Sequence, residues 1–269
     1  MAFRGLMTSS AAGLNRGLLN LDLPGARAST YGRSKGMDEA EFDKFADEYD
    51  ALYKATTALS GEGREFFAEY KVRDIAREYD RQSSQASPSP RVLDFGSGNG
   101  GSVPFVRRHL PRAQLTCVDV SRRSLSLAEK RFPSLAQYVH FDGTHIPFPA
   151  EHFDIAYAAC VFHHIDHTEH ISLLKELRRI LRPGGNLFVF EHNPYNPLTV
   201  HVVNSCPFDK NAQLVRAATM KKRLGAAGFA SVKVRYRIFF PHALRIMRPL
   251  EAAFAWLPLG GQYYALARK

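Results

Sequence analysis

A short stretch between residues 91 and 102 is the part of the sequence best suited to bind a ligand. Asp94 ends an apolar segment, and four glycines, beginning with Gly96 and Gly98, follow it within seven residues. Glycine lets the backbone turn sharply and lets a ligand approach it without an intervening side chain. The N–H groups of such a loop and of the next helix can then donate hydrogen bonds to a polar group. The pattern predicts a strand, a glycine loop and a helix that form a nucleotide-type cofactor site.

The glycine spacing does not decide which cofactor binds. Gly96, Gly98 and Gly101 fit the G-x-G-x-x-G pattern of dinucleotide sites, whereas Gly96, Gly98 and Gly100 fit G-x-G-x-G. Asp94 is more informative, because its carboxylate would lie close to the pyrophosphate of a bound dinucleotide. Like charges would repel there, whereas a cationic cofactor would be attracted. The aspartate therefore favours a cationic cofactor over a nicotinamide dinucleotide.

Three sequence patterns, the first of them within the stretch described above, carry a family resemblance. The segment V-L-D-F-G-S-G-N-G at 92–100 resembles the first motif of the class I S-adenosylmethionine (SAM) methyltransferases. F-D-K-F-A-D-E-Y-D at 42–50 resembles an opening of many members, in which the tyrosine, here Tyr49, lies over the cofactor. The loop D-G-T-H-I-P-F at 142–148 is similar to a loop whose acid, here Asp142, accepts a hydrogen bond from the adenine amino group. By the same resemblance the amide of Gly143 meets an adenine ring nitrogen.

A second aspartate is placed to bind ribose. Asp119 ends the apolar segment 115–120 and lies 19 residues beyond Gly100. At that spacing a carboxylate can accept hydrogen bonds from both ribose hydroxyls. A nicotinamide enzyme would use the same residue in the same way, so Asp119 does not separate the two cofactors. We further assign Ser97, Val120 and Cys160 to the cofactor site, with SAM as the predicted cofactor.

Two histidines follow the fourth predicted strand, where ligands bind in open α/β sheets. Methyl transfer is largely accelerated by orientation, and a base is needed only if the acceptor must lose a proton. We expect His164 to be that base, with His163, Glu191 and His192 as alternatives. A purely structural role for the histidine remains equally open. The predicted catalytic residues are therefore His164 and His163.

The same region is rich in histidine, which raises the question of a metal. His163, His164, His167 and His170 recur at spacings that could place imidazoles on one helix face for zinc. No cysteine accompanies them, and Asp166-His-Thr predicts the start of a helix. We therefore predict no metal site.

The remaining sequence alternates predicted strands and helices as a doubly wound α/β fold requires. Two apolar strands, Val232–Phe240 and Tyr263–Ala267, would add an antiparallel hairpin. The L-R-P-G-G turn at 181–185 is a further feature that is similar to the family. The predicted fold is a Rossmann-like, doubly wound, seven-stranded sheet, mostly parallel.

The predicted organisation has three parts. Residues 1–36 form a disordered or targeting-like tail, because they are rich in Ser, Ala, Gly and Arg and almost free of acids. Residues 37–90 form a helical N-terminal cap and linker. Residues 91–269 form the SAM-binding core, with an insertion around 241–259 whose apolar helix, Ala243–Trp256, we expect to be a lid.

Composition limits the remaining alternatives. The chain has 269 residues, three cysteines without close pairing, and a net charge of +10 that is concentrated at its two ends. No nucleic-acid recognition motif accompanies that charge, so we expect no nucleic-acid partner. A reducing compartment, the cytoplasm, fits the cysteines, and residues 1–36 leave an organelle address open. The sequence leaves oligomeric state undetermined.

We therefore expect a SAM-dependent methyltransferase that acts on an oxygen or nitrogen atom of a small-molecule or lipid-linked acceptor. The Asn-Pro-Pro-Tyr type of signature is absent after the fourth strand, which disfavours methylation of DNA and glutamine nitrogen. Peripheral contact with a membrane through the lid helix stays open. The alternatives are a catalytically silent SAM-binding subunit and, less favoured, an NAD-dependent oxidoreductase.

Overall fold

The computed structural model describes residues 61–82, 87–209 and 211–269. The predicted tail 1–36 and the cap residues 37–60, including Tyr49, lie outside this described part. Within it, the structure consists of one sheet with helices on both of its faces.

The sheet has seven strands in the order β3-β2-β1-β4-β5-β7-β6. The strands are β1 (Arg91–Phe95), β2 (Gln114–Asp119), β3 (Gln137–His140), β4 (Phe153–Ala159), β5 (Leu181–His192), β6 (Ser231–Arg237) and β7 (Gln262–Arg268). Strands β1 to β5 pair in parallel, whereas β7 pairs antiparallel with both β5 and β6. The predicted fold class, including the C-terminal antiparallel hairpin, is confirmed.

Seven α-helices lie in the described residues. They are α1 (Arg64–Asp80), α2 (Val103–His109), α3 (Arg122–Arg131), α4 (His170–Ile180), α5 (Pro197–Ser205), α6 (Ala217–Ala226) and α7 (Glu251–Phe254). Helix α3 begins directly after Ser121, whose side chain accepts a hydrogen bond from the Ser124 N–H and so caps the helix.

The central strands consist mostly of apolar residues because both faces of the sheet are covered. Val92, Leu93 and Phe95 of β1 have no exposed surface. Leu93 and Phe95 belong to the core that includes α4 and α6, whereas Val92 belongs to the core that includes α1 and α2. Burial on both faces is typical of a parallel sheet between helical layers.

The stretch between β6 and β7 differs from the sequence prediction. A single helix over Ala243–Trp256 is wrong: His242–Leu250 forms a 3-10 helix, and the short helix α7 follows it. Pro249 lies inside this stretch and has no N–H to donate, and Leu244 has non-helical φ and ψ of −107° and 24°. Both features interrupt the hydrogen-bond ladder that a continuous α-helix needs.

None of the described helices is both long and apolar enough to cross a bilayer.

Candidate active site

A cavity of about 300 Å³ lies at the carboxyl ends of the central strands. Its walls come from the loop after β1, the ends of β2 and β4, and helices α1 and α5. Of the predicted site residues, the following line it: Asp94, Gly96, Ser97, Gly98, Asp119, Cys160, His163 and His164. Val120, Asp142 and Gly143 are not among its lining residues. The structure thus brings most of the predicted site together.

The glycine loop owes its shape to backbone conformations that suit glycine. Gly96 and Gly98 have φ of 72° and 54°, in the left-handed region. A Cβ on Gly96 would lie 2.6 Å from Cγ2 of Val161, whereas a Cβ on Gly98 would meet no atom within 4 Å. Gly96 therefore also permits close packing against the residue after β4. At Gly98 the backbone faces open space in the cavity wall.

Asp94 is a buried acid beside this loop, with 2% of its surface exposed. Its carboxylate accepts a hydrogen bond from the Ser102 hydroxyl, and the Tyr157 hydroxyl donates to Ser102 at 3.0 Å. Burial raises the pKa of Asp94 to about 6, although the hydrogen bonds from Ser102 and Tyr157 lower it. A buried carboxylate of this kind gains most from a cation placed next to it.

Asp119 joins the end of β2 to the glycine loop. Its Oδ2 accepts a hydrogen bond from the Gly98 N–H at 2.8 Å, and its Oδ1 accepts one from the Ser121 N–H at 2.9 Å. Each carboxylate oxygen can accept a second hydrogen bond. Asp119 can therefore hold the loop and still accept hydrogen bonds from hydroxyl groups in the cavity.

Asp142 forms a turn outside the cavity wall. Its Oδ1 accepts hydrogen bonds from the N–H groups of Thr144 and His145, each at 2.8 Å. These hydrogen bonds, with that of the Thr144 hydroxyl, lower the pKa of Asp142 to about 2. Gly143 has a φ of 87° and lies next to Val120, which is 3.9 Å from the position of a Cβ on Gly143. The predicted adenine contacts of Asp142 and Gly143 stay predictions.

Two cations of α1 line the cavity, and sequence reasoning missed both. Lys71 is only 7% exposed, and its Nζ donates a hydrogen bond to Sγ of Cys160 at 3.2 Å. Arg64, seven residues earlier, donates to the Asn99 side chain in the glycine loop. A seven-residue spacing places side chains on one helix face, so the pair was a detectable signal.

Cys160 occupies a strained position directly after β4. Its φ of 62° is unusual for a residue with a side chain. Burial raises the pKa of its thiol, but the charges of Lys71 and His192 outweigh burial and lower it to about 7. The thiol is therefore polarised towards the thiolate within the cavity wall.

The predicted catalytic histidines lie in a 3-10 turn, Phe162–His164, that follows β4. His163 is fully buried, and its Nδ1 lies 2.5 Å from Oε2 of Glu191. Glu191 also accepts a hydrogen bond from the Phe162 N–H at 2.8 Å, which fixes its orientation. Burial lowers the pKa of His163, but the charge of Glu191 and the neighbouring carboxylate of Asp209 raise it to about 10.

Asp209 completes this cluster and was not predicted from the sequence. Its Oδ1 lies 3.4 Å from Nε2 of His164 and 3.6 Å from Nε2 of His163. Burial and the positive charge of His163 lower the pKa of His164 to about 3. His164 is therefore neutral near pH 7 and faces the cavity beside a carboxylate.

The other two of the four spaced histidines, His167 and His170, do not contact His163, His164 or Asp209 in the contacts described below. The Nε2 of His170 lies 3.1 Å from the carbonyl oxygen of Ile165, and an Nη1 of Arg223 lies 2.7 Å from its Nδ1. His167 is exposed to solvent. The predicted helix start at Asp166 is also wrong: α4 begins at His170, because Asp166 accepts hydrogen bonds from Thr168 and forms a turn instead.

The wall formed by α5 and the segment after β6 is apolar. Its side chains are those of Leu198, Val202, Val203, Phe239 and Pro241. The cavity lining thus combines acids and glycines, a histidine–carboxylate cluster, and apolar side chains.

Comparison with known proteins agrees with this arrangement. Residues 93–189 match the family model for the methyltransferase domain. The matched segment runs from β1 to β5 and contains Asp94, Asp119 and both histidines. This segment of the chain is therefore similar to a methyltransferase domain.

The relatives of this chain are named for different substrates. Phthiotriol/phenolphthiotriol dimycocerosates methyltransferase 1 of Mycobacterium ulcerans is 30% identical over 62% of this chain and 58% of its own length. A ubiquinone/menaquinone biosynthesis C-methyltransferase of Ectopseudomonas mendocina is 31% identical over 46% of this chain and 51% of its own. The chain thus spans between half and three fifths of the length of these relatives.

Solved structures share the methyltransferase fold. A SAM-dependent methyltransferase from Thermotoga maritima superposes with a TM-score of 0.59 at 20% identity, and the match covers 86% of this chain and all of that one. Phosphoethanolamine N-methyltransferase 2 of Haemonchus contortus, in complex with SAM, superposes with a TM-score of 0.57 at 16% identity. That match covers 85% of this chain and 60% of the other. Both likenesses show a shared fold, and both of those proteins are described with SAM.

Proposed function

We propose that this protein transfers a methyl group from SAM to an oxygen or nitrogen atom of a small-molecule or lipid-linked acceptor. The observation that carries the proposal is a single cavity whose lining combines two chemically different sets of residues. One set is the acids and glycines of a cofactor site, and the other is a histidine–carboxylate cluster together with apolar side chains. The alternative of an NAD-dependent oxidoreductase is disfavoured, because the buried carboxylate of Asp94 would repel a pyrophosphate.

The residues at the glycine end fit SAM by charge and by space. Asp94 would attract its ammonium group, and Asp119 would accept hydrogen bonds from the ribose hydroxyls. Lys71 and Arg64 supply positive charge on the same wall, where they would attract the carboxylate of the methionine portion. The open space over Gly98 leaves room for the cofactor next to the backbone. When bound, SAM supplies a methyl group on a positively charged sulfur.

The chain's contribution to the transfer is chiefly to hold the acceptor in line with that methyl group. His164 is the candidate base, since it lines the cavity and lies 3.4 Å from the carboxylate of Asp209. Its pKa of about 3 makes it a weak base, so orientation of the acceptor contributes most of the acceleration. An imidazole in that position can accept a proton from an acceptor hydroxyl or amine, and Asp209 would stabilise the resulting charge. Glu191 keeps the neighbouring His163 in a fixed orientation.

The surface beside the cavity supports a lipid-linked acceptor. Of the eleven large hydrophobic side chains that are exposed in the described part of the chain, nine lie within 195–198 or 244–259. These two segments are adjacent, because the side-chain amide of Asn196 donates to the carbonyl oxygen of Leu259 at 2.8 Å. Leu198 belongs both to this exposed set and to the cavity wall. An apolar acceptor could therefore reach the cavity from this surface.

Charge indicates which partner this apolar surface fits. Residues 193–207 contain no acid, and residues 238–261 contain only Glu251. Glu251 is buried and accepts hydrogen bonds from the N–H groups of Phe239 and Phe240. Arg245 is exposed in the middle of the apolar side chains. An apolar surface with exposed positive charge and no exposed acid fits an anionic bilayer.

Transfer of radiolabelled methyl groups tests the proposed activity. The purified chain would be incubated with methyl-labelled SAM and either a lipid extract or a pool of water-soluble metabolites. We expect label in the solvent-extractable fraction, and its loss with Asp94→Asn. Binding of SAM without transfer to any acceptor would instead support the silent SAM-binding subunit. No binding of SAM would overturn the proposal.

Vesicle flotation tests the membrane surface separately. We expect the chain to bind vesicles that contain phosphatidylglycerol, and to bind phosphatidylcholine vesicles weakly. Replacing Ile246 and Trp256, which are 87% and 70% exposed, by serine should abolish flotation. Leu135→Ser, at an exposed leucine outside these segments, is the matched control. Equal flotation of both variants would exclude this surface, and concentration-dependent self-association lost in the first variant would assign it to a protein partner.

A further inference from the structure

His163, His164 and Asp209 together have the composition and geometry of a metal site. Each offers one ligand atom, two imidazole Nε2 atoms and one carboxylate oxygen, and these atoms lie within 4.8 Å of one another. We propose that this trio binds a divalent ion of the zinc class at the acceptor end of the cavity. The proposal revises the sequence-based expectation of no metal and uses a different ligand set from the four spaced histidines.

The distances between the ligand atoms fit an ion better than they fit direct hydrogen bonds. Asp209 Oδ1 lies 3.4 Å from Nε2 of His164 and 3.6 Å from Nε2 of His163. Hydrogen bonds to a carboxylate oxygen are usually about 2.7–2.9 Å long when the donor is charged. Ligand atoms bound tetrahedrally at about 2.0–2.1 Å from zinc are roughly 3.3–3.4 Å apart. The two separations from Asp209 Oδ1 are close to this second value, and the two imidazole nitrogens lie within 4.8 Å of each other.

The surroundings of His163 are those of a metal-bound imidazole. Its Nδ1 lies 2.5 Å from Oε2 of the fully buried Glu191, so the Nδ1–H can donate to that carboxylate. Such a contact fixes the ring orientation, so that once an ion displaces the Nε2 proton the Nε2 lone pair points away from Glu191, towards Asp209. The Phe162 N–H holds Glu191 in place from the other side. The carboxylate–histidine pair is therefore already oriented for an ion at Nε2.

The trio leaves coordination positions open towards the cavity. All three residues line it, and they supply three protein ligands rather than the four of a closed structural site. An ion held in this way can bind one more ligand, and the fitting ligand class is a hydroxyl or carbonyl oxygen of the acceptor. A hydroxyl bound to a divalent ion loses its proton more readily, so with the ion present this activation replaces proton abstraction by His164, whose Nε2 is then a ligand. This role for the ion rests on the proposed function, whereas binding of the ion does not.

Metal binding is tested on the purified full chain after treatment with a chelator. Zn²⁺ would be titrated calorimetrically, and Co²⁺ would be titrated by its visible absorption, which reports the coordination geometry. We expect saturable binding in an equimolar complex, and an absorption spectrum of low-coordinate Co²⁺. Asp209→Asn should weaken binding by roughly tenfold or more, and Glu191→Gln should weaken it by a similar factor through His163.

Controls separate loss of the site from loss of the fold. His167→Gln removes an exposed histidine of the same region and should bind Zn²⁺ as the parent chain does. Asp209→Asn should retain its melting temperature and its affinity for SAM, because it lies at the acceptor end. Equal Zn²⁺ affinity of Asp209→Asn and the parent chain would overturn the proposal.

Absence of saturable Zn²⁺ or Co²⁺ binding in the parent chain would also overturn it, and the trio would then be a histidine pair hydrogen-bonded through Asp209. Methyl transfer can fail while metal binding succeeds, and the reverse, so failure of this proposal is distinguishable from failure of the proposed function.

Discussion

The carboxylate of Asp119 accepts a hydrogen bond from the backbone N–H of Gly98 at 2.8 Å. This contact links the end of β2 to the loop that follows β1, so one acid both shapes the glycine loop and lines the cavity. Its second oxygen accepts from Ser121 at the start of α3. The ribose end of the proposed SAM site is therefore fixed by two neighbouring strand–helix units at once.

Substitution of Asp119 tests that role. Asp119→Ala removes the acceptor of the Gly98 N–H and the proposed acceptor of the ribose hydroxyls. An unsatisfied buried group costs about 1–3 kcal/mol, so we expect SAM affinity to fall roughly fivefold or more. Calorimetric titration with SAM measures this, and Asp166→Ala, in an exposed turn outside the cavity, is the control. Unchanged affinity of Asp119→Ala would contradict the ribose assignment.

The raised pKa of Asp94 predicts a pH dependence of cofactor binding. Because burial raises this pKa to about 6, the carboxylate is ionised above that pH and becomes protonated as the pH falls through it. The ionised form attracts the ammonium group of SAM, so affinity should be full above pH 6 and fall below it. If only the ionised form binds, the loss approaches about tenfold per pH unit.

Two further ligands, S-adenosylhomocysteine and adenosine, and one variant test this pH dependence. S-adenosylhomocysteine keeps the ammonium group and should show the same profile, whereas adenosine lacks it and should bind with little change over the same range. Asp94→Asn should bind SAM weakly at every pH. A pH-dependent loss of the same size in Asp94→Asn would assign the titration to another group.

The parts of the site that were predictable from the sequence lie at the ends of adjacent parallel strands. Asp94 and Asp119 each close an apolar run, and the carboxyl ends of β1 and β2 meet because the two strands are paired in register. The glycine loop was predictable because its backbone conformations require glycine at Gly96. In these places local pattern and tertiary structure impose the same constraint.

Other parts depend on contacts that no local pattern contains. Asp209 reaches the histidines from a short 3-10 segment far along the chain, without a periodic signal of its own. Helix α4 was predicted to start too early because the turn at Asp166 imitates a helix cap. The apolar spacing of 243–256 suggested one helix, but Pro249 removes a hydrogen-bond donor within it. In each case a specific hydrogen bond, present or missing, outweighs the pattern.

His164 can be tested as the candidate base by separating binding from turnover. His164→Ala should lower kcat while the affinity for SAM stays unchanged, because His164 lies with Asp209 rather than with the glycine loop. General bases typically contribute about 10²–10⁴-fold to rate, so a loss within that range is expected. Single-turnover kinetics with an identified acceptor would measure it, with His167→Ala as control. An unchanged kcat would indicate that His164 has only a structural role.

Asp74 of α1 and Arg237 at the end of β6 form a buried ion pair. We expect this pair to supply most of the free energy that holds α1 against that edge of the sheet. Nε of Arg237 lies 2.6 Å from Oδ2 of Asp74, and the two side chains are only 16% and 8% exposed. Burial raises the pKa of Asp74 although neighbouring arginines lower it, so the carboxylate depends on its partner. Arg237→Met would leave this charge buried and unpaired, at a cost of about 3–5 kcal/mol in the free energy of unfolding.

Chemical denaturation measures that loss, and two further variants establish its cause. Asp74→Asn combined with Arg237→Met should recover part of the stability, because the buried charge is then absent as well. Arg81→Ala breaks a surface pair with Glu78, in which the arginine is 67% exposed, and should cost less than about 1 kcal/mol. If the double variant were as unstable as Arg237→Met alone, the loss would come from packing of the arginine over Tyr70, whose ring centre lies 5.9 Å from its guanidinium carbon. Recovery in the double variant would show that α1 is held to β6 chiefly by charge.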